Sequence, residues 1–202
     1  YNTPPDFYEA YKDNIQNTER TSKFTLGYIG LLQEERGFIY LIDVVKSIKD
    51  ARLIIGGSGI FEEEIQKGIK NFSNIEFIGK VSPYEKTLAI ESTFDAFIAL
   101  YDPDIPNHRY SSPNKLFEAM MLGKPIIVSK DTGMDKLVAK YQCGIVVKYG
   151  DEKELEKAIL QLKTMKDKGD NSYGRNGREA YLNIFHPKIM EKRLLNFYKE
   201  IL

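Results

Sequence analysis

The sequence predicts an α/β domain built on a doubly wound, six-stranded parallel sheet. Three observations carry this expectation. Six short, β-branched runs are apolar on both faces, as strands covered on both sides must be. Amphipathic helical patterns alternate with them, which makes the strands parallel and the crossovers right-handed. The chain has 202 residues, 42% of them hydrophobic, enough for one core without covalent staples.

The elements follow in order. Residues 1–20 stand apart: Thr3-Pro4-Pro5-Asp6 is extended material, and the stretch reads as a linker before a domain spanning 21–184. Strands are expected at 24–29, 52–55, 75–78, 96–100, 125–129 and 144–147. Helices near 37–48, 60–71, 83–92, 113–122 and 133–141 lie between them. Three more, near 151–165, 173–184 and 187–201, close the chain. Ser82-Pro83-Tyr84-Glu85 has capping-box spacing with proline at the first helical position, and Asp151 with Glu154 repeats the box. Gly123 followed by Pro125 ends one helix and starts a strand. The polar stretch 166–178, with three glycines, reads as a surface loop. The segment 185–202 carries Met190, Leu194, Leu195, Phe197, Tyr198, Ile201 and Leu202, an apolar face that must cover something. Six strands with these helices fit the order 3-2-1-4-5-6.

Composition narrows the function classes. The 29 basic and 29 acidic residues cancel, so no global field holds a phosphate polymer and nucleic acid is not an expected partner. The lone cysteine, Cys143, excludes an internal disulfide, suits a reducing compartment, and reads as core. The longest apolar run, 96–101, is too short to cross a bilayer. No signal peptide is expected. The chain begins at Tyr1 rather than Met and reads as part of a longer protein. His186, before Pro187, reads as a helix start; His108 sits in the loop 101–113 with no nucleophile or metal partner in view. No cysteine, histidine or carboxylate spacing suggests a metal site.

In an open α/β sheet, ligands bind beyond the carboxyl ends of the strands where strand order reverses. Here that crevice lies between the first and fourth strands, walled by loops 30–37 and 101–113. On the first wall, Gly30 lets a ligand approach the backbone, and Arg36 sits just before a helix start, where a cation opposes the dipole unless an anion joins it. The alternative is a solvated arginine in a surface turn. On the second wall, Ser112 is the expected N-cap and Pro113 the first helical residue, leaving the Asn114 and Lys115 amides free. Asn114, Lys115 and Glu118 share one face. Glu118 is a lone carboxylate in an otherwise apolar helix, suited to two ribose hydroxyls; the alternative is an ordinary wet strip. Gly56-Gly57-Ser58-Gly59 after the second strand reads as a tight turn with backbone contact to a ligand as the other reading. Gly79-Lys80-Val81 is a short turn or a reader of a base edge.

At these positions a resemblance becomes visible. "SPNKLFEAMMLGKPIIVSKDTGM" resembles the signature helix of retaining glycosyltransferases of family 4, also called group 1. "YIGLLQEERGFIYLIDVV" is similar to the family's first strand and phosphate loop, and "ARLIIGGSGIFEEEI" to its second strand and glycine turn. "IEFIGKVSPYE" resembles its base-contacting segment, and "CGIVVKYGDEKELEKAI" its sixth strand and following helix. The resemblance covers residues 24–165 in order.

It implies one half of the GT-B architecture, in which two Rossmann-like domains face each other across a cleft. This chain is similar to the C-terminal, donor-binding half. A missing N-terminal domain would take the acceptor, and the last helix would pack toward it. The implied partner is a nucleotide-diphosphate sugar donor, with no essential bound metal and no other cofactor. The implied catalytic set is Arg36 on the diphosphate, Lys115 beside it and Glu118 on the ribose. The implied donor-binding set is Gly30, Gly57, Lys80, Val81, Ser112, Asn114 and Leu116. Two positions depart from the family pattern: Leu31 follows Gly30 where arginine is frequent, and Tyr110 replaces the first carboxylate of a pair ending in Glu118. The implied activity is sugar transfer in polysaccharide or glycoconjugate synthesis, in the cytoplasm, with any contact at the inner membrane face made through the missing half. A non-catalytic nucleotide- or sugar-binding module and a GT-B sugar-nucleotide epimerase are the alternatives.

Overall fold

A computed structural model of the protein describes residues 1, 3–19 and 23–201. The six strands are β1 (Phe24–Leu31), β2 (Ala51–Ser58), β3 (Ile75–Phe77), β4 (Ala96–Ala99), β5 (Ile126–Ser129) and β6 (Gly144–Val147). They form a single parallel sheet in the order β3-β2-β1-β4-β5-β6, as expected. β1 and β4 are central, and β4 is buried throughout. Both faces are covered, which is why the strand runs do not alternate apolar and polar residues. Gly27 of β1 has the Phe94 ring where a side chain would stand, so the core closes around that glycine.

The helices are α1 (Lys12–Glu19), α2 (Phe38–Val45), α3 (Glu62–Ile69), α4 (Tyr84–Glu91), α5 (Pro106–Tyr110), α6 (Asn114–Leu122), α7 (Asp135–Tyr141), α8 (Glu152–Asp167), α9 (Ser172–Ala180) and α10 (Pro187–Ile201). A short π-type segment, Tyr181–Phe185, joins the last two. α2 packs against α3 and α8, while α6 packs against α9. Asp151 caps α8 through the Glu154 amide at 3.0 Å, as its spacing predicts. Among the described residues no helix is long and apolar enough to cross a membrane.

Several expectations are corrected. Gly56, Gly57 and Ser58 lie inside β2 rather than in a turn after it. Gly57 pairs with Gly30 across β1 and β2, and a Cβ on Gly57 would overlap the Gly30 carbonyl. The glycines there admit close strand backbones. Pro83 and Pro113 are N-caps, not first helical residues: their ψ angles of −176° and 141° keep both outside the helix, and no side chain caps either one. The stretch 166–178 is no loop, since α8 runs through Asp167 and α9 starts at Ser172. Gly174 lets α9 approach the end of α6 closely, with the Gly123 carbonyl where a side chain would stand. The loop 101–113 contains α5, and its His108 is buried, with Nδ1 2.8 Å from the Asp102 carbonyl oxygen. His108 therefore holds the loop rather than facing a ligand.

Residues 3–19 are packed on the domain as well. Arg178 donates to both Asp6 carboxylate oxygens at 2.9 and 2.8 Å, and the Tyr181 hydroxyl donates to the Pro4 carbonyl at 2.7 Å. α1 buries Ile15, and Asn14 donates to the Ser92 hydroxyl at 3.0 Å. A linker composition thus becomes a packed edge because tertiary partners satisfy it. The expected boundary at 20/21 lies outside the described residues. α10 contains no buried residue, and Leu194, Leu195, Phe197, Tyr198 and Ile201 are exposed.

Candidate functional site

The sheet order reverses between β1 and β4, and a cavity of about 490 Å³ opens there beyond the strands' carboxyl ends. Gly30, Arg36, Gly57, Lys80, Val81, Asn114, Lys115 and Glu118 all line it. Those eight expected residues, from five separate stretches of sequence, are therefore brought together. Ser112 and Leu116 are not among the lining residues. Ser112 lies before the Pro113 cap, and the Leu116 amide donates to the Pro113 carbonyl at 3.2 Å. Tyr110 is 86% exposed on α5 and does not line the cavity either. Leu31 does line it.

Each wall has a local cause. After β1, a single helical turn Glu34–Arg36 ends at Gly37, whose φ of 67° is readily adopted only without a side chain. The Asp102 amide donates to the Glu35 carbonyl at 3.0 Å and ties this turn to the loop after β4. Arg36 then lies with its guanidinium 3.8 Å from the Tyr101 ring centroid. Its Nε and Nη1 are buried and have no hydrogen-bond partner. A guanidinium with two buried, unanswered donors is costly in a closed protein. Two N–H groups in a rigid fork fit a phosphate.

On the opposite wall, α6 begins at Asn114, so the Asn114 and Lys115 amides lie ahead of the first bond within the helix. Lys115 is buried, with its ammonium 4.4 Å from the Tyr28 ring centroid. Gly30 makes room for it: a Cβ there would collide with Lys115 Nζ. Burial disfavours the Lys115 charge, but Tyr28, Tyr101, Glu118 and Glu91 outweigh it and hold the ammonium's pKa above its usual value. Lys115 is therefore a fixed positive charge at neutral pH.

Glu118 is not alone. Its Oε1 accepts the Tyr84 hydroxyl at 2.9 Å, and a second buried glutamate, Glu91, also lines the cavity. Burial raises the Glu118 carboxyl, opposed by Lys115 and by the Tyr84 hydrogen bond. Burial together with Glu118 raises Glu91 well above the usual carboxylate range. Tyr84, Thr87 and Glu91, all on α4, were missed from sequence. Their signal was present: positions i, i+3 and i+7 form one helical stripe. That stripe ends in an acid on the buried side of α4.

A cationic fork, a fixed ammonium and a helix N-terminus thus meet two carboxyls in one concave site. The family model for glycosyl transferases group 1 matches residues 23–164, more than two thirds of the chain. The chain belongs to this family. It is 26% identical over 97% of its length to the capsular polysaccharide biosynthesis glycosyltransferase CapM of Staphylococcus aureus, of which the match covers 52%. Among solved structures, HepE of Anabaena in complex with UDP superposes with a TM-score of 0.78 at 17% identity, over 99% of this chain and 56% of that one. The C-terminal domain of the group 1 protein LpcC from Francisella tularensis superposes with a TM-score of 0.70 at 16% identity, over 90% of this chain and 97% of that one. The fold is thus that of the C-terminal, Rossmann-like half of a GT-B glycosyltransferase. The chain spans about half the length of the curated relatives it matches.

Proposed function

We propose that this domain binds a nucleoside-diphosphate sugar in the cavity between β1 and β4 and serves as the donor half of a retaining glycosyltransferase. The observation that carries the reading is Arg36, stacked on Tyr101 with two buried donors unanswered at the cavity wall. A diphosphate supplies the missing acceptors. Glu118 takes ribose hydroxyls in place of the Tyr84 hydroxyl it now accepts. The backbone near Lys80 and Val81 meets the base, and Gly30 keeps the space between diphosphate and Lys115 open.

During transfer, the bond between the sugar's anomeric carbon and the diphosphate oxygen breaks, the acceptor hydroxyl's oxygen bonds to that carbon on the same face, and its proton passes to the departing diphosphate oxygen. Negative charge grows on the leaving diphosphate. Arg36, Lys115 and the α6 N-terminus are already oriented to stabilise it, with no solvent reorganisation required at that moment. We assign this role to protein cations, without an essential metal. The acceptor is held by an N-terminal domain, as relatives of about twice this length suggest, and the exposed face of α10 packs toward it. The similarity to CapM, a capsular polysaccharide biosynthesis glycosyltransferase, favours polysaccharide or glycoconjugate assembly.

Calorimetric titration of the chain with UDP, GDP and ADP tests the donor site. Saturable binding of at least one diphosphate is expected, weakened about tenfold or more by Glu118→Ala. No saturable binding to any of the three, or Glu118→Ala binding like the wild type, overturns the reading. A second reading, a nucleotide-binding module without turnover, is favoured by Tyr110 standing exposed away from the cavity. Sugar transfer by the complete protein decides between them.

A further inference from the structure

α4 presents Tyr84, Thr87 and Glu91 to the cavity. Glu91 is 1% exposed, and its Oε2 is buried without a hydrogen-bond partner. The charged and titratable groups that line the cavity with it are Glu118 and Lys115 of α6, Tyr84 of its own helix, Tyr28 on β1, and Arg36, Lys80 and Tyr101 from the loops; of these, Glu118 and Lys115 act on its charge. Glu118 differs from Glu91 in one respect: it already accepts a hydroxyl, which favours its ionised form. Two ionised carboxylates in one poorly solvated site repel each other, and a single proton on one of them removes the conflict. The deeper, unpartnered member is the natural holder of that proton.

We propose that Glu91 is a positioning residue of the donor site. It keeps a proton at neutral pH and so leaves Glu118 as the charged carboxylate of the cavity, free to take the ribose. This rests on the donor-site reading above. With Glu91 neutral, Arg36, Lys80 and Lys115 line the cavity against Glu118 alone, and the cavity attracts a diphosphate. Once Glu91 ionises at higher pH, the surplus of cations falls from two to one and that attraction weakens. Burial and the neighbouring Glu118 both favour retention of the proton, against the pull of Lys115.

The test uses the tightest-binding of UDP, GDP and ADP, titrated from about pH 6 to about pH 9 into wild type, Glu91→Gln, Glu91→Ala and Glu118→Ala. Gln cannot ionise but keeps the shape and a hydrogen-bond donor. Glu91→Gln is expected to bind about tenfold more tightly than Glu91→Ala at neutral pH. Wild type is expected to lose about tenfold in affinity relative to Glu91→Gln as pH rises. An infrared carbonyl band of a protonated carboxyl, present in wild type at neutral pH and absent from Glu91→Gln, reports the proton without any ligand. Parallel alkaline losses in wild type and Glu91→Gln, or no such band in wild type, overturn the proposal even if Glu118→Ala still weakens binding. Absence of nucleotide binding by wild type instead sinks the donor site, and the positioning role with it.

Discussion

At the amino-terminal end of the sheet, the Asp95 carboxylate receives the Thr25 amide at 2.7 Å and the Lys166 ammonium at 2.8 Å. That ammonium also donates to the Lys23 carbonyl at 2.9 Å. At the carboxyl-terminal end, Arg36 keeps two buried donors and Glu91 one buried oxygen without partners. Both ends take charge out of water, which is costly unless each group is answered. At the first end the chain supplies the answers itself. At the second it supplies no hydrogen-bond partner for them. Under the proposed donor-site reading, the difference separates a structural use of buried charge from a binding use.

Asp95→Ala gives the largest effect expected from this contrast. It removes the acceptor of the Thr25 amide and one of the partners of Lys166, and destabilisation of about 1.5–3 kcal/mol is expected by urea denaturation. A loss below about 1 kcal/mol would show that this pair is not holding the sheet's amino end. Arg36→Ala should do the reverse. Charge-assisted hydrogen bonds to a phosphate are worth about 1.5–3 kcal/mol, so nucleotide affinity should fall about ten- to a hundredfold by calorimetry. Unfolding free energy should change by less than about 1 kcal/mol, because loss of the cation–π contact is offset by removal of two buried, unanswered donors. Destabilisation comparable to that of Asp95→Ala would make Arg36 structural and erase the contrast.

The smallest effect concerns Glu91. Its folded-state pKa lies above the unfolded value of about 4.3. A group raised in this way contributes stability fully below the unfolded pKa and loses it as pH rises through the folded one. Glu91→Gln escapes that loss. The melting temperature of Glu91→Gln minus that of wild type should therefore grow from about pH 4 towards alkaline pH. A difference that stays flat with pH would mean Glu91 ionises as freely in the fold as in the unfolded chain.

Much of this was legible in advance because it depends on local pattern. Runs apolar on both faces fixed the strands, and their alternation with helices fixed a parallel sheet whose order reverses at β1 and β4. Arg36, Lys115 and Glu118 were found because a cation at a helix start and an acid in an apolar helix each violate a local preference. Tyr84, Thr87 and Glu91 escaped notice because α4 has no marked apolar face, so the side that meets the cavity is known only from its neighbours. Gly57 was misread for a related reason: glycine marks a need for space, and only strand pairing shows that the Gly30 backbone takes that space.

By itself, then, the sequence determined the class of fold, the place where strand order reverses, and the cationic residues that line the cavity there, since periodicity and dipole preference act within a few residues. Tertiary structure alone decided that residues 3–19 pack as part of the domain, that His108 is buried support, and that Glu91 joins Glu118. Burial and charge coupling depend on groups distant in the chain meeting in space, and no local pattern encodes them.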